Sequence, residues 1–232
     1  MSQPDWRRGD PWGWRELVAL LLLEFVFVMA VVKRGLQGLY EQWSANPVVS
    51  GTLTGLTIAL VLIGGLYLVA LRPRRLPWCE VGLRPFPART WGLILLWTVI
   101  ALAGSILAME LTRLVGNTYA NAKTEGLRAN MSLVTVTVAF VSACVISPVY
   151  EEVFYRGFLY RWFRTRTGAG WAMLLSALVF AVAHWPTWNV LPVALVCGLV
   201  FAWAYERTGS VWPAVFVHGL INLVVLVSTS LA

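Results

Sequence analysis

Polar positions along this chain are scarce and bunched, and the apolar stretches between them have the length of membrane helices. Seven such stretches run Trp14–Val32, Val48–Leu71, Trp91–Val115, Met131–Arg164, Trp171–His184, Trp188–Tyr205 and Val211–Leu231. A helical crossing needs about 20 residues, so the fifth is short, while the fourth is long with an amphipathic C-terminal part. The pattern predicts an all-α polytopic transmembrane bundle of about seven spans (seven to eight). No internal repeat or low-complexity tract divides it. One integrated membrane domain is expected, with N-terminal helices and interfacial loops over 1–130 and a helical core over 131–232. Arg7 and Arg8 precede the first apolar run as they would in a secretory signal. Glu24 interrupts that run and no small-x-small cleavage pattern follows, so it reads as a retained helix. The link Arg72–Arg89 is rich in Pro and Arg and reads as an interfacial loop. Gly51-x-x-x-Gly55 predicts close helix packing within the chain.

Composition agrees. The 232 residues are 59% hydrophobic and 12% charged, where soluble domains have about 25% charged. In such a chain a net charge of +7 reports orientation and contact with anionic lipid rather than nucleic acid. With the N-terminus in the cytoplasm, inside segments hold Arg7, Arg8, Arg15, Arg72, Arg74, Arg75, Arg84, Arg89, Arg161, Arg164, Arg166 and Arg207. Outside segments hold Lys33, Arg34, Arg113, Lys123 and Arg128. The excess predicts an integral protein of the plasma (inner) membrane, N-terminus cytoplasmic and C-terminus outside. Thirteen tryptophans suit bilayer interfaces, and Trp185-Pro186-Thr187-Trp188 reads as an interfacial anchor and turn. Cys79, Cys144 and Cys197 form no CxxC pair, which argues against a cysteine zinc or redox site. Cys144 and Cys197 read as small buried residues.

Candidate chemistry is concentrated in Pro148-Val149-Tyr150-Glu151-Glu152-Val153-Phe154-Tyr155-Arg156-Gly157. Ionisable groups at membrane depth are costly and are functional candidates by default. Glu152 and Arg156 share one helical face at i,i+4 and can pair; Glu151 lies about 100° round the helix, away from that partner. This predicts a supporting Glu152 and a chemical Glu151. The chain has two histidines, and each carries a local pattern: Phe180-x-x-x-His184 and His218-x-x-x-Asn222. If the fourth helix runs unbroken to Arg164, Glu151 lies about 20 Å and His184 about 21 Å above the hairpin at Thr165–Gly170. The two are then level on adjacent antiparallel helices. His218 joins them if those helices project beyond the cytoplasmic surface. The result is a polar chamber within the bilayer, reached from the cytoplasm. There Glu151, helped by His184, can take a proton from water, and His218 and Asn222 can donate to a developing oxyanion. Tyr155 and Phe180 read as packing around the site. Ser147 and Ser176 lack a nucleophile-elbow context.

Glu151-Glu152-x-x-x-Arg156, Phe180-x-x-x-His184 and His218-x-x-x-Asn222 together resemble the motif set of the CPBP intramembrane protease family. That family includes type II CAAX prenyl endopeptidases and bacterial Abi and bacteriocin-immunity proteins. Val81-Gly82-Leu83-Arg84-Pro85 is similar to a segment preceding the family's core helices. The resemblance covers about Met131 to Leu231. It implies an endopeptidase acting on a membrane-associated, possibly prenylated, protein or peptide. It also implies that Glu151 and His184 activate water while His218 and Asn222 form the oxyanion hole. Glu152 and Arg156 would support the site, Arg156 as an alternative holding a substrate carboxylate. The family is often labelled metalloprotease, so Glu151, His184 and His218 are alternative Zn2+ ligands; the favoured reading has no cofactor. The rival readings are a non-catalytic membrane scaffold or immunity protein and a small proton-coupled transporter.

Overall fold

A computed structural model describes residues 6–7, 9–114 and 122–231. Arg8, Val115 and the Lys123 side chain, used above, lie outside the described residues. Eight helical rods occur among the described residues: α1 (14–43), α2 (Pro47–Arg74), α3 (Thr90–Leu114), α4 (Ala122–Ala129), α5 (Leu133–Thr167), α6 (Ala169–Val182), α7 (Trp188–Thr208) and α8 (Trp212–Leu231). Five of them, α2, α3, α5, α7 and α8, are long and apolar enough to cross a membrane. Of the seven expected spans, the fifth is the 14-residue α6. The first runs on past Val32 to Trp43 and carries Glu24, Lys33 and Arg34 along the way. The short α4 has no counterpart among the expected spans. Its mixed composition gives a helix too polar and brief to register as a span.

Local chemistry sets the helix ends. Asn46 caps α2 through Val48 N–H, with Pro47 in the first turn. Ser132 caps α5 through Thr135 N–H at 3.1 Å. Gly168 (φ 82°) makes the turn into α6, and Gly209 (φ 66°) ends α7. α6 packs along the C-terminal half of α5, α7 lies between α6 and α3, and α8 closes against α3, α5 and α7.

α5 is the central rod. Its first half is mostly only partly buried, whereas every residue from Glu152 to Trp162 is buried. One element surrounding it is the expected loop between α2 and α3. This loop is anchored rather than merely interfacial: a Cβ on Gly157 would lie 2.2 Å from the Val81 carbonyl oxygen, and Val211 N–H bonds to the Gly82 carbonyl at 2.9 Å. The other is a strap formed by the segment before α1. Arg166 pairs with Asp10 at 2.6 Å, Trp162 donates to the Gly13 carbonyl at 3.1 Å, and Arg7 pairs with Glu206 at 3.4 Å.

The Gly51/Gly55 expectation is half met. A Cβ on Gly55 would sit 3.8 Å from Ser142 Oγ, but Gly51 faces open space, because four residues of α-helix do not return fully to the same azimuth. Tight approaches occur at other glycines: at Gly219 a Cβ would lie 2.6 Å from the Cys144 carbonyl oxygen. Cys197 is buried as expected; Cys144 is only partly buried, since α8 covers its carbonyl rather than all of its side chain.

Candidate active site

Pro148 sets up the site one turn before the glutamates. α5 widens here, and Ser147 N–H reaches back five residues to the Ser142 carbonyl. Proline has no N–H, so in this register the Ala143 carbonyl meets no main-chain donor. Asn222 of α8 supplies one: its Nδ2 donates to Ala143 O at 2.7 Å. Gly219, one turn earlier on α8, lets the helices approach closely enough for that bond. The same approach brings His218 against the glutamates.

His218 Nδ1 lies 2.9 Å from Glu152 Oε1, and its Nε2 lies 3.9 Å from Glu151 Oε2. A carboxylate accepts, so Nδ1 carries the hydrogen and Nε2 faces Glu151. The ring stacks on Phe201, centroids 4.6 Å apart and planes 19° from parallel. Ser147 Oγ donates to Glu151 Oε1 across one helical turn.

Glu152 and Arg156 pair as the spacing predicted, at 3.2 Å, and both are fully buried. Arg156 also donates to the Gly198 carbonyl at 3.1 Å. Its guanidinium lies between the rings of Phe180 (4.5 Å) and Phe201 (5.1 Å), which suits a delocalised cation better than an ammonium. Such a pair offsets a large desolvation cost only while both partners stay. The structure therefore gives Glu152 a second task, holding His218. It also withdraws Arg156 from any surface a substrate could touch, because two aromatic rings and a carbonyl enclose it.

His184 lies just past the end of α6. Its Nδ1 is 2.9 Å from the Phe180 carbonyl. A carbonyl can only accept, so Nδ1 carries the hydrogen and Nε2 is the basic nitrogen of the neutral ring. Phe180 ties the site together edge-on, 4.8 Å from the His184 ring, 6.0 Å from His218 and 5.1 Å from Tyr155. Level placement of α5 and α6 about their hairpin thus brings His184 to the glutamate end of the site.

Tyr155 packs as expected and also bonds. Its hydroxyl donates at 2.9 Å to Oε1 of Glu24, a buried carboxylate from α1. The sequence showed Glu24 only as a charge inside an apolar run. Lys33, further along α1, donates to the Ala183 carbonyl at 3.1 Å, next to His184. No spacing rule connects α1 to residues more than a hundred positions away; the remaining signal was their ionisable character at membrane depth. Ser147 was legible at i,i+4 from Glu151.

The residues do not fit a zinc site. Glu151, His184 and His218 form no ligand cluster, and among the described residues no three His, Cys, Asp or Glu side chains are disposed to hold a metal ion. Glu152 Oε2 and Glu24 Oε2 are buried without a hydrogen-bond partner. The arrangement therefore holds carboxylates and basic imidazole nitrogens together in a weakly polar shell, the conditions for moving a proton of water.

Residues 133–224 match the family model for Rce1-like type II CAAX prenyl endopeptidases. The matched segment includes every residue of the three motifs, and the family is the one those motifs resemble. No curated protein matches the chain, and no solved structure matches it. With its apolar helices, this match identifies the chain as an integral membrane protein.

Proposed function

We propose that this integral membrane protein is an intramembrane endopeptidase of CAAX type, which hydrolyses a peptide bond of a membrane-associated, prenylated substrate. The observation that carries the reading is the contact of His218 with both glutamates, 2.9 Å to Glu152 and 3.9 Å to Glu151, inside the segment that matches the protease family.

In this mechanism Glu151, steadied by Ser147, takes one proton from a water molecule. His184 accepts a hydrogen bond from the same water at Nε2. The water oxygen attacks the scissile carbonyl carbon, and the carbonyl oxygen takes up negative charge. His218, with Nδ1 held by Glu152, turns Nε2 towards the oxyanion and donates to it where that nitrogen also carries a hydrogen. Asn222 donates with the Nδ2 hydrogen that Ala143 does not use. The proton on Glu151 then passes to the leaving nitrogen, and the C–N bond breaks to give a carboxylic acid and an amine. No step needs a metal. Lysine and arginine distribution orients the N-terminus to the cytoplasm, where prenylated protein tails would reach the site.

The test is cleavage of a farnesylated CAAX peptide by the detergent-purified full chain, wild type beside Glu151→Gln, each with and without phenanthroline. Expected is a loss of about 10²–10⁴-fold in the variant, with wild-type cleavage unaffected by the chelator. Chelator-sensitive cleavage restored by zinc would overturn the glutamate mechanism. No cleavage by wild type would overturn the CAAX assignment.

A further inference from the structure

α1 lies outside the segment that matches the protease family, yet it places a carboxylate against the site. Resting on the endopeptidase reading above, we propose that Glu24 is a positioning residue of the active site, setting the two imidazoles through Tyr155 and Phe180.

The contacts run in a line. Tyr155 follows Glu151 by about one turn of α5, and its hydroxyl donates to Glu24 Oε1 at 2.9 Å. Its ring meets Phe180 edge-on, centroids 5.1 Å apart and planes 80° from parallel. Phe180 meets His184 at 4.8 Å and His218 at 6.0 Å, also edge-on. It holds His184 a second time, because its carbonyl accepts from Nδ1 at 2.9 Å. Tyr155 and Phe180 are both buried, and in a close-packed interior neither ring can turn without displacing its neighbour. Glu24 itself lies within electrostatic reach of Glu151.

Docking of α1 does not account for this carboxylate. Glu24 is buried, and its Oε2 has no hydrogen-bond partner, which opposes folding. Leucine at position 24 and phenylalanine at position 155 would join the helices without that cost. Exchanging a buried polar pair for apolar residues of similar volume is often neutral or stabilising. α1 also has apolar contacts for docking, since Leu17, Leu20, Val28 and Val32 are buried. Apolar burial has no direction, whereas a bond from the phenol to a carboxylate fixes where the hydroxyl stands, and with it the ring. That ring presses on Phe180, and a misplacement of about 1 Å in an active site can cost about a hundredfold in rate.

The experiment measures kcat and KM for a farnesylated CAAX peptide, with the thermal unfolding midpoint alongside, on the full chain in detergent. The decisive variant combines Glu24→Leu with Tyr155→Phe, which removes both polar groups and leaves an apolar pair. It is expected to unfold at the wild-type midpoint or above, and to lose about 10–100-fold in kcat with KM unchanged. Glu24→Gln, which keeps an acceptor for the hydroxyl, should stay within a few-fold of wild type. Wild-type kcat in the double variant overturns the proposal, as does a loss confined to KM. A double variant that unfolds well below wild type makes the pair a support of the fold and also overturns it. Glu24→Gln as slow as the double variant overturns the hydrogen bond as the cause. In each of these outcomes wild type still cleaves, and the endopeptidase reading stands. Wild type cleaving nothing overturns both.

Discussion

Glu151 keeps 13% of its side chain accessible and bonds to the Ser147 hydroxyl, whereas Glu152, one residue on, has no accessible surface and is bound to Arg156 and His218. The adjacent carboxylates thus face different solvents. Glu152 is locked into a buried network whose members depend on each other, and Glu151 stays partly accessible. Adjacent helical positions diverge by about 100°, enough for one rod to turn one carboxylate into the interior and the next towards partly accessible space.

The contrast can be broken from either side. The largest effect is expected for Glu151→Gln: activity falls by about 10²–10⁴-fold while the unfolding midpoint, followed by thermal denaturation in detergent, stays with wild type. Arg156→Ala comes next. It leaves Glu152 charged and enclosed and should cost about 3–5 kcal/mol, read as a large drop in that midpoint, with activity lost alongside. A wild-type midpoint in Arg156→Ala would refute the supporting role. Gly219→Val tests the approach of α8, because its Cβ would lie 2.6 Å from the Cys144 carbonyl oxygen. Overpacking there should cost about 1–3 kcal/mol and weaken cleavage by lifting His218 and Asn222 from α5. The smallest effect belongs to Ser147→Ala, which removes one hydrogen bond to Glu151. A loss of about 0.5–1.5 kcal/mol of support predicts cleavage slower by a few-fold with folding intact.

How much of this was legible in the sequence follows from distance along the chain. Glu152–Arg156 and Phe180–His184 are i,i+4 relations, and one helix fixes them. The level placement of α5 and α6 followed from counting residues to their hairpin. Contacts between distant helices did not follow. His218 could be assigned a depth but not an azimuth, so its bond to Glu152 rather than Glu151 awaited the packing of α8. Asn222 was legible as a polar group facing the site; its bond to Ala143 depends on Pro148 removing a main-chain donor from a widened turn. Glu24 was visible as a charge in the first apolar run and Lys33 as one just past its end, yet nothing local ties them to Tyr155 and Ala183. The seven-span pattern was read from hydropathy, which overlooks the polar α4 and does not fix where α1 ends.

The bond between Tyr155 and Glu24 spans 131 residues, and that separation is also a delay. At about 5–20 residues per second, Tyr155 leaves the ribosome roughly 7–26 s after Glu24. His218 follows Glu152 by another 66 residues. α1 is therefore made carrying a carboxylate whose partner does not yet exist. The imidazole that faces Glu151 arrives with α8. A nascent chain stalled before α8 holds the glutamates without His218 or Asn222, so the contacts of His218 with both carboxylates form only once α8 has been made.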